Sequence, residues 1–391
     1  MQIQSKRSLA LTGVVVMLLS LLAFAFWGGL GAMVPVRADP NTRYVDGATG
    51  SDDSDCSKAA DPCATIGYAL TQAMESDQIL VAVGTYLETL DIQSDRLIIR
   101  GGYTKSGSTW SRLGGETIVD ADGADSQVVT VSPGNTILME GFTIQGANHV
   151  SDSGGGLFIN GATALISDTV IRDNVTGGSG GGIYFENTVA AVAPQVSLIN
   201  STVTGNTADG AGGFQSQSGV SLLVSIENSD FADNNGDTTV SLYAPSFGLV
   251  GGRVYNNTIT GDKAVEVGGS GYISGTAIMS HTSSALWIWD GSVLEAENLT
   301  VRNNLGGIVN RSVLTLTSSL IEDNKGGGWP LVTSVNEGAP GTERLLMEGC
   351  ILRGNIDVPG VVSIGGIAQV WNTAISGNET YLRNGDIIGI G

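Results

Sequence analysis

One short phrase recurs along most of the chain, and it constrains the fold more than any other feature. Its clearest copies end in Ile171-Arg172-Asp173-Asn174, Val203-Thr204-Gly205-Asn206, Phe231-Ala232-Asp233-Asn234, Val301-Arg302-Asn303-Asn304, Ile321-Glu322-Asp323-Asn324, Leu352-Arg353-Gly354-Asn355 and Ile375-Ser376-Gly377-Asn378. Weaker copies end at Ala147, Asn257 and His281. The steps run from 20 to 32 residues, about 26 on average, so the variation belongs to loops and not to the repeated core. Ten and eight positions before each end stand apolar residues, as in Val196/Leu198, Val224/Ile226, Leu314/Leu316 and Leu345/Met347. A spacing of two is the alternation of a strand with one buried face. Six before the end comes Gly141, Asp168, Asn200, Asn228, Gly251, Gly275, Asn298, Ser318, Gly349 or Asn372. These residue types tolerate positive φ and mark a tight turn. An apolar residue returns three before the end, and the closing Gly/Asp/Asn-Asn pair opens a second turn. After a loop of variable length comes a third strand, as in Leu157-Phe158-Ile159, Ile183-Tyr184-Phe185, Val240-Ser241-Leu242, Val265-Glu266-Val267, Leu286-Trp287-Ile288 and Val362-Ser363-Ile364. Three short strands cannot bury an apolar face alone. Stacked at about 4.8 Å per turn, each pairs with its equivalents above and below, which predicts a parallel β-solenoid. A propeller blade would need four antiparallel strands in roughly 40 residues, longer than these steps allow.

The same columns account for residues that would otherwise look like site candidates. Cys350 stands in a column of small residues (Thr169, Ser201, Ser229, Thr276, Ser319, Thr373), so it reads as a buried, inert thiol. Asn200, Asn228, Asn298 and Asn372 read as a stacked ladder that satisfies turn backbone groups. The Asn-x-Ser/Thr sequons at Asn174, Asn200, Asn298 and Asn378 arise from the repeat and are not read as glycosylation sites. Arg302, Glu322 and Arg353 fall on consecutive turns and predict an exposed stripe of alternating charge, worth little per pair.

Before the repeat, Lys6 and Arg7 precede an uncharged, mostly apolar run from Leu9 to about Val34, followed by Val36-Arg37-Ala38. This is the pattern of a secretory signal peptide cleaved after Ala38. The run is long enough that an uncleaved membrane anchor is the competing reading. Either way the remainder is exported, extracellular or at the cell surface, with the periplasm as a further option. Cleavage would remove three basic and no acidic residues. Export permits a disulfide, and Cys56 and Cys63 flank a short turn-rich segment that such a bridge would close; two free thiols are the alternative. Ile66, Leu70, Ala73 and Met74 form a helical face, with Gly67 as its weak point. A short helix over residues 64–74 would cover the open end of the solenoid, which otherwise templates aggregation. The expected organisation is 1–38 signal peptide or anchor, 39–78 N-terminal segment with disulfide loop and capping helix, and 79–391 parallel β-helix. No polar capping element follows the last repeat, so Gly391 reads either as the natural end or as a truncation.

Tyr44-Val45-Asp46, then Pro62-Cys63-Ala64-Thr65-Ile66, then Asp77-Gln78-Ile79-Leu80-Val81-Ala82-Val83-Gly84-Thr85-Tyr86 with Glu88, together resemble the start of secreted bacterial proteins of the pectin-lyase-like superfamily. The Gly180-Gly181-Gly182-Ile183-Tyr184 segment resembles the repeats of chlamydial polymorphic outer-membrane proteins. The resemblance covers about residues 43–391. It implies an all-β, right-handed parallel β-helix of about ten or more three-strand rungs. It implies no single activity, because the superfamily holds lyases, hydrolases, esterases, epimerases and adhesins.

Composition narrows the function. A net charge of −20 argues against nucleic acid, which needs clustered Lys and Arg. Two histidines and three cysteines leave little room for a His/Cys metal centre. No cofactor is expected. Calcium in the acidic loops 120–125 or 51–55 is the open alternative, although neither an EF-hand spacing nor a Gly-Gly-x-Gly-x-Asp array is present.

The resemblance would place a sugar-processing site on the outer face of one sheet. By alternation the outward residues of the third strand are Phe158, Tyr184, Gln215, Ser241, Glu266, Trp287 and Val309, with Tyr243 and Trp289 nearby. Phe158, Tyr184, Trp287 and Trp289 are the ligand-binding candidates, since flat aromatic faces stack on sugar rings; the competing reading packs one or two of them under adjacent loops. Glycoside hydrolysis needs two carboxylates roughly 5–10 Å apart. Glu266 and Asp290 are the best local pair and weak catalytic candidates, being offset by about three residues along the strand. Glu186 is three rungs from Glu266, roughly 14 Å. The polygalacturonase-type set of Asn-x-Asp, Asp-Asp, His-Gly and Arg-x-Lys is missing from the repeats. Trp287-Ile288-Trp289-Asp290 resembles a pectate-lyase strand motif only faintly and lacks its His. Arg253 and Lys263 are available as cationic bases without a convincing carboxylate cage. His281 reads as a turn residue in the repeat-end column, and His149, in a loop with Asp152, as a surface residue. The expected function is a secreted or cell-surface β-helix that binds a glycan or a protein partner. The alternative is a carbohydrate-active enzyme, a polysaccharide lyase or glycoside hydrolase. The partner is a polysaccharide or a surface protein, and contact with a membrane would run only through the N-terminal segment.

Overall fold

Alternation decides which way each strand faces. In the strand Gln195–Ile199, Val196 and Leu198 are fully buried; one rung on, Val224 and Ile226 occupy the same places in register. Repeated along the chain, this arrangement builds three sheets of 14, 12 and 11 strands. The computed structural model describes residues 41–189, 193–217, 221–326, 330–334, 344–364 and 367–380. The signal or anchor segment expected over residues 1–38 lies outside them. The first sheet begins at Thr42–Val45 and reaches Ile367–Trp371, the second runs from Gly84–Leu87 to Ala374–Ser376, and the third from Leu90–Ile92 to Val362–Ile364. Pairing between rungs is parallel throughout; Thr109–Arg112 alone among the described strands pairs antiparallel, folding back on Leu97–Ser106. The result is a right-handed parallel β-helix of about twelve rungs.

The core is a set of vertical stacks. Ile144, Ile171, Val203, Phe231, Val254, Ile278, Val301, Ile321 and Leu352 are buried and follow one another in register along the second sheet. Each such side chain contributes about 1.5–3 kcal/mol by leaving water.

The asparagine ladder exists, but in a different column from the one expected. Asn200, Asn228, Asn298 and Asn372 are exposed and themselves adopt positive φ, between 49° and 53°. The ladder runs instead through the repeat-end residues. Asn174 Nδ2 donates to Asn206 Oδ1 at 3.0 Å, Asn206 Nδ2 to Asn234 Oδ1 at 3.0 Å, and Asn234 Nδ2 to Asn257 Oδ1 at 3.1 Å. It resumes from Asn304 through Asn324 and Asn355 to Asn378. In each of these links the same Oδ1 also accepts the backbone N–H of the preceding asparagine. The reason is local geometry. At this second turn the left-handed residue is the one before the asparagine (Asp173, Gly205, Asp233, Asn256, Asn303, Asp323, Gly354, Gly377), which directs the asparagine side chain under the turn. A second ladder occupies the small-residue column. The Ser201 and Ser319 hydroxyls donate to the carbonyls two residues back at 2.8 Å, and Cys350 Sγ, buried, makes the same contact to Glu348 O at 3.5 Å. The charged stripe forms in part: Arg353 donates to Glu322 at 2.8 Å, whereas Arg302 turns to Met279 Sδ.

At the N-terminal end, Cys56 and Cys63 are joined by a disulfide. The helix spans Ile66–Gln72, with Thr65 as N-cap, and buries Ile66, Ala69 and Leu70 in the same apolar core as Val45, Ile79 and Leu90. Met74, expected on this face, is 66% exposed, because Ala73 has already turned extended. Gly67 makes room for Glu88, whose carboxylate accepts the N–H groups of Ile66 and Gly67 at 2.8 and 2.7 Å; a Cβ there would stand 2.8 Å from Glu88 Oε2. Among the described residues, no helix is long and apolar enough to cross a membrane.

Candidate functional site

The third sheet presents one continuous outward row. Phe158 pairs with Tyr184, Tyr184 with Gln215, Gln215 with Ser241, Ser241 with Glu266, Glu266 with Trp287, and Trp287 with Val309. Parts of this row are covered: Ser241, Glu266 and Val309 are buried, while Phe158, Tyr184, Gln215 and Trp287 are half-buried. The aromatic candidates therefore form two stations. Tyr184 and Trp287 are four rungs apart, roughly 19 Å by rung spacing.

At the first station Phe158 and Tyr184 stack with centroids 6.0 Å apart and planes inclined by 5°. Their strands follow glycine-rich turns whose backbones touch: a Cβ on Gly155 would lie 2.7 Å from Gly181 O. Burial holds the Tyr184 hydroxyl above its usual pKa, helped by the charges of Glu186 and Asp152. Glu186 is itself raised, first by burial and then by Asp152.

At the second station Trp287 and Trp289 lie 5.7 Å apart at 47°. Their neighbour Glu266 has both oxygens engaged. Ser241 Oγ donates to Oε1 at 2.9 Å; Tyr243 OH and Trp289 Nε1 donate to Oε2 at 3.1 and 2.8 Å. Lys263 Nζ lies 3.7 Å from Oε2 and 3.6 Å from Asp237. Burial and the Glu266 charge push the Tyr243 hydroxyl well above its ordinary pKa. The Tyr243 ring packs against Gly268, where a Cβ would collide with its Cδ1. Trp289 is flanked by two cations, Lys263 Nζ at 5.8 Å and the Arg311 guanidinium at 5.4 Å from its centroid. Asp290 is exposed and pairs with Arg311 at 3.3 Å. Glu266 and Asp290 thus sit on adjacent rungs and answer to different cations. The sequence named Ser241 in the row and Lys263 as an available cation but not their contacts with Glu266, and it did not single out Arg311. Their only signal was position, one rung away from the aromatic residues.

The remaining candidates are tied into local structure. His281 Nε2 is 3.1 Å from Val254 O, and its backbone N–H donates to Asn304 Oδ1, so the imidazole replaces one rung of the ladder. Its Nδ1 is buried without a hydrogen-bond partner, and burial lowers its pKa. His149 Nδ1 lies 3.0 Å from Asp125. In the loops considered for calcium, Asp52 accepts from Ala64 and Thr65, Asp55 from Ser57, and Asp120 from Asp122 and Gln145. An open cavity of about 400 Å³ lies apart from both aromatic stations and is lined by Asp46, Thr49, Ala60, Lys105, Gly107 and Ser108.

The architecture is a parallel β-helix of three sheets. Among solved structures the chain is similar to the GH136 lacto-N-biosidase from Eubacterium ramulus, with a TM-score of 0.48 and 10% identity over 86% of this chain and 67% of that one. It is similar to pectate lyase Pel9A at a TM-score of 0.44 and 12% identity, covering 86% and 79% of the two chains. It is also similar to the siphovirus 9NA tailspike receptor binding domain, at a TM-score of 0.36 and 11% identity over 84% and 76%. No family model and no curated protein matches the chain.

Proposed function

We propose that this is an exported β-helix that binds glycans on the outer face of its third sheet and does not cleave them. The observation that carries this reading is the state of Glu266. Donors on adjacent rungs hold both its oxygens, so it braces Tyr243 and Trp289, while the aromatic rings around it stay partly open. Half-buried Tyr and Trp with one polar end anchored are well suited to present a stacking surface. Export is supported by the disulfide and by the apolar run before Asp39. The test is affinity electrophoresis in gels containing polysaccharide, together with assays for reducing ends and for the absorbance of 4,5-unsaturated products. Retardation that falls tenfold or more in Trp287→Ala, with no product released, is the expected result. Turnover abolished by Glu266→Gln would overturn it.

A second reading rests on Glu186. A carboxyl raised by burial, with Asp152 coupled to it and a stacked aromatic pair beside it, is the kind of group that serves as a general acid. Turnover lost in Glu186→Gln but kept in Glu266→Gln would favour this reading.

A further inference from the structure

We infer that the ligand of this face is an uncharged glycan and that the face rejects polyuronates; the inference rests on the binding reading above. Two basic side chains touch the second aromatic station, and both are committed. Lys263 lies between Asp237 at 3.6 Å and Glu266 at 3.7 Å with its ammonium over Trp289, and its side chain is 15% exposed. Arg311 pairs with Asp290 at 3.3 Å and also lies over the Trp289 ring, 5.4 Å from its centroid. A uronate carboxylate stacked on Trp287 or Trp289 would meet cations whose charge Asp237, Glu266 and Asp290 already balance, and those carboxylates would repel it. At the Phe158–Tyr184 station the fixed charges beside the rings are Glu186 and Asp152, again carboxylates. The whole chain adds a net charge of −20 to that field. The same groups suit a neutral sugar. The apolar face of the sugar ring covers the indole or phenol, and its hydroxyls donate to the partly exposed oxygens of Asp290, Asp237 and Asp152. A complex built this way contains no new ion pair, so its affinity does not respond to salt.

The test compares galactomannan, mixed-linkage β-glucan and starch with polygalacturonate, alginate and chitosan, by affinity electrophoresis at about 0.02 M and about 0.5 M salt. At least one uncharged polymer is expected to retard the protein equally at both salt levels, with a tenfold or greater loss in Trp287→Ala or Tyr184→Ala variants of unchanged melting temperature. Polygalacturonate and alginate are expected to leave mobility unchanged. The double variant Asp237→Asn/Asp290→Asn removes the carboxylate paired with Arg311 and one of the two paired with Lys263, and salt-sensitive retardation by polygalacturonate should then appear. Polyuronate binding by the native protein that depends on Trp287 or Tyr184 overturns the inference and leaves the binding face standing, as does aromatic-dependent binding to chitosan alone. Binding to any polymer that survives both aromatic substitutions, or no binding to any of them, overturns the binding face itself.

Discussion

Trp289 donates its indole N–H to Glu266 Oε2 at 2.8 Å, tying a partly open aromatic ring to a buried carboxylate on the adjacent rung. Tyr243, from the rung on the other side, donates to the same oxygen. One carboxylate therefore sets two aromatic side chains at once, and the surface they form is rigid before any ligand arrives. Preorganisation of this kind lowers the ordering cost of binding.

Glu266→Gln should disturb this surface without abolishing the fold. The amide presents a donor where several donors already converge, so about 1–3 kcal/mol of stability is lost. Urea unfolding should show the shift, and tryptophan emission should move to longer wavelength as Trp289 loosens. An unchanged emission spectrum would mean that the carboxylate does not position the indole.

Asn324→Ala should be costly. Asn324 Oδ1 accepts the N–H of Asn304 at 3.0 Å, and its Nδ2 donates to Val301 O at 2.9 Å and Asn355 Oδ1 at 3.0 Å, all buried. Leaving such groups unsatisfied costs about 1–3 kcal/mol each, so a loss of roughly 2 kcal/mol or more is expected in denaturant unfolding. Asn298→Gly, at an exposed turn residue with φ 53°, should be close to neutral. Equal effects at both sites would contradict the placement of the ladder.

His281 gives stability a pH dependence of known sign. Its pKa in the folded protein lies below the ordinary 6.5, because burial disfavours the imidazolium. As pH falls below about 6.5 the unfolded chain takes up a proton that the folded protein refuses, and stability declines until the folded pKa is reached. His281→Asn should remove this component and complete the ladder. The melting temperature of the variant should therefore exceed that of the native protein by more at about pH 5.5 than at about pH 7.5. A constant difference would show that His281 does not titrate differently on folding.

Cys350→Ser should be tolerated within about 0.5 kcal/mol, because the column already contains Ser319 and Ser229 making the same back-bond. Cys350→Leu should cost about 1–3 kcal/mol by overpacking. Burial also raises the thiol pKa, so a thiol reagent should label Cys350 only at the rate of unfolding. Fast labelling in native buffer would show that the column opens locally.

The repeat, the three-strand rung, the inward stacks through Val203, Phe231 and Val301, and the outward row from Phe158 to Val309 were all legible in the sequence. Each depends on alternation with period two and on copies of nearly equal internal spacing, and both are local properties of the chain. The two asparagine columns could not be told apart that way. Both turns admit positive φ, and only the path of the backbone decides that Asn206 faces the interior while Asn200 faces water. Nor could the role of Glu266 be read in advance. Its partners Ser241, Tyr243 and Trp289 lie 23 to 25 residues away along the chain, and the loops between rungs vary in length, so only the stacked structure fixes which side chains meet. The sequence by itself settled that the chain coils and which strand residues point inward or outward. Tertiary structure decided which polar groups on those faces are spent on one another, because hydrogen bonding and ion pairing depend on distances of a few ångströms between rungs.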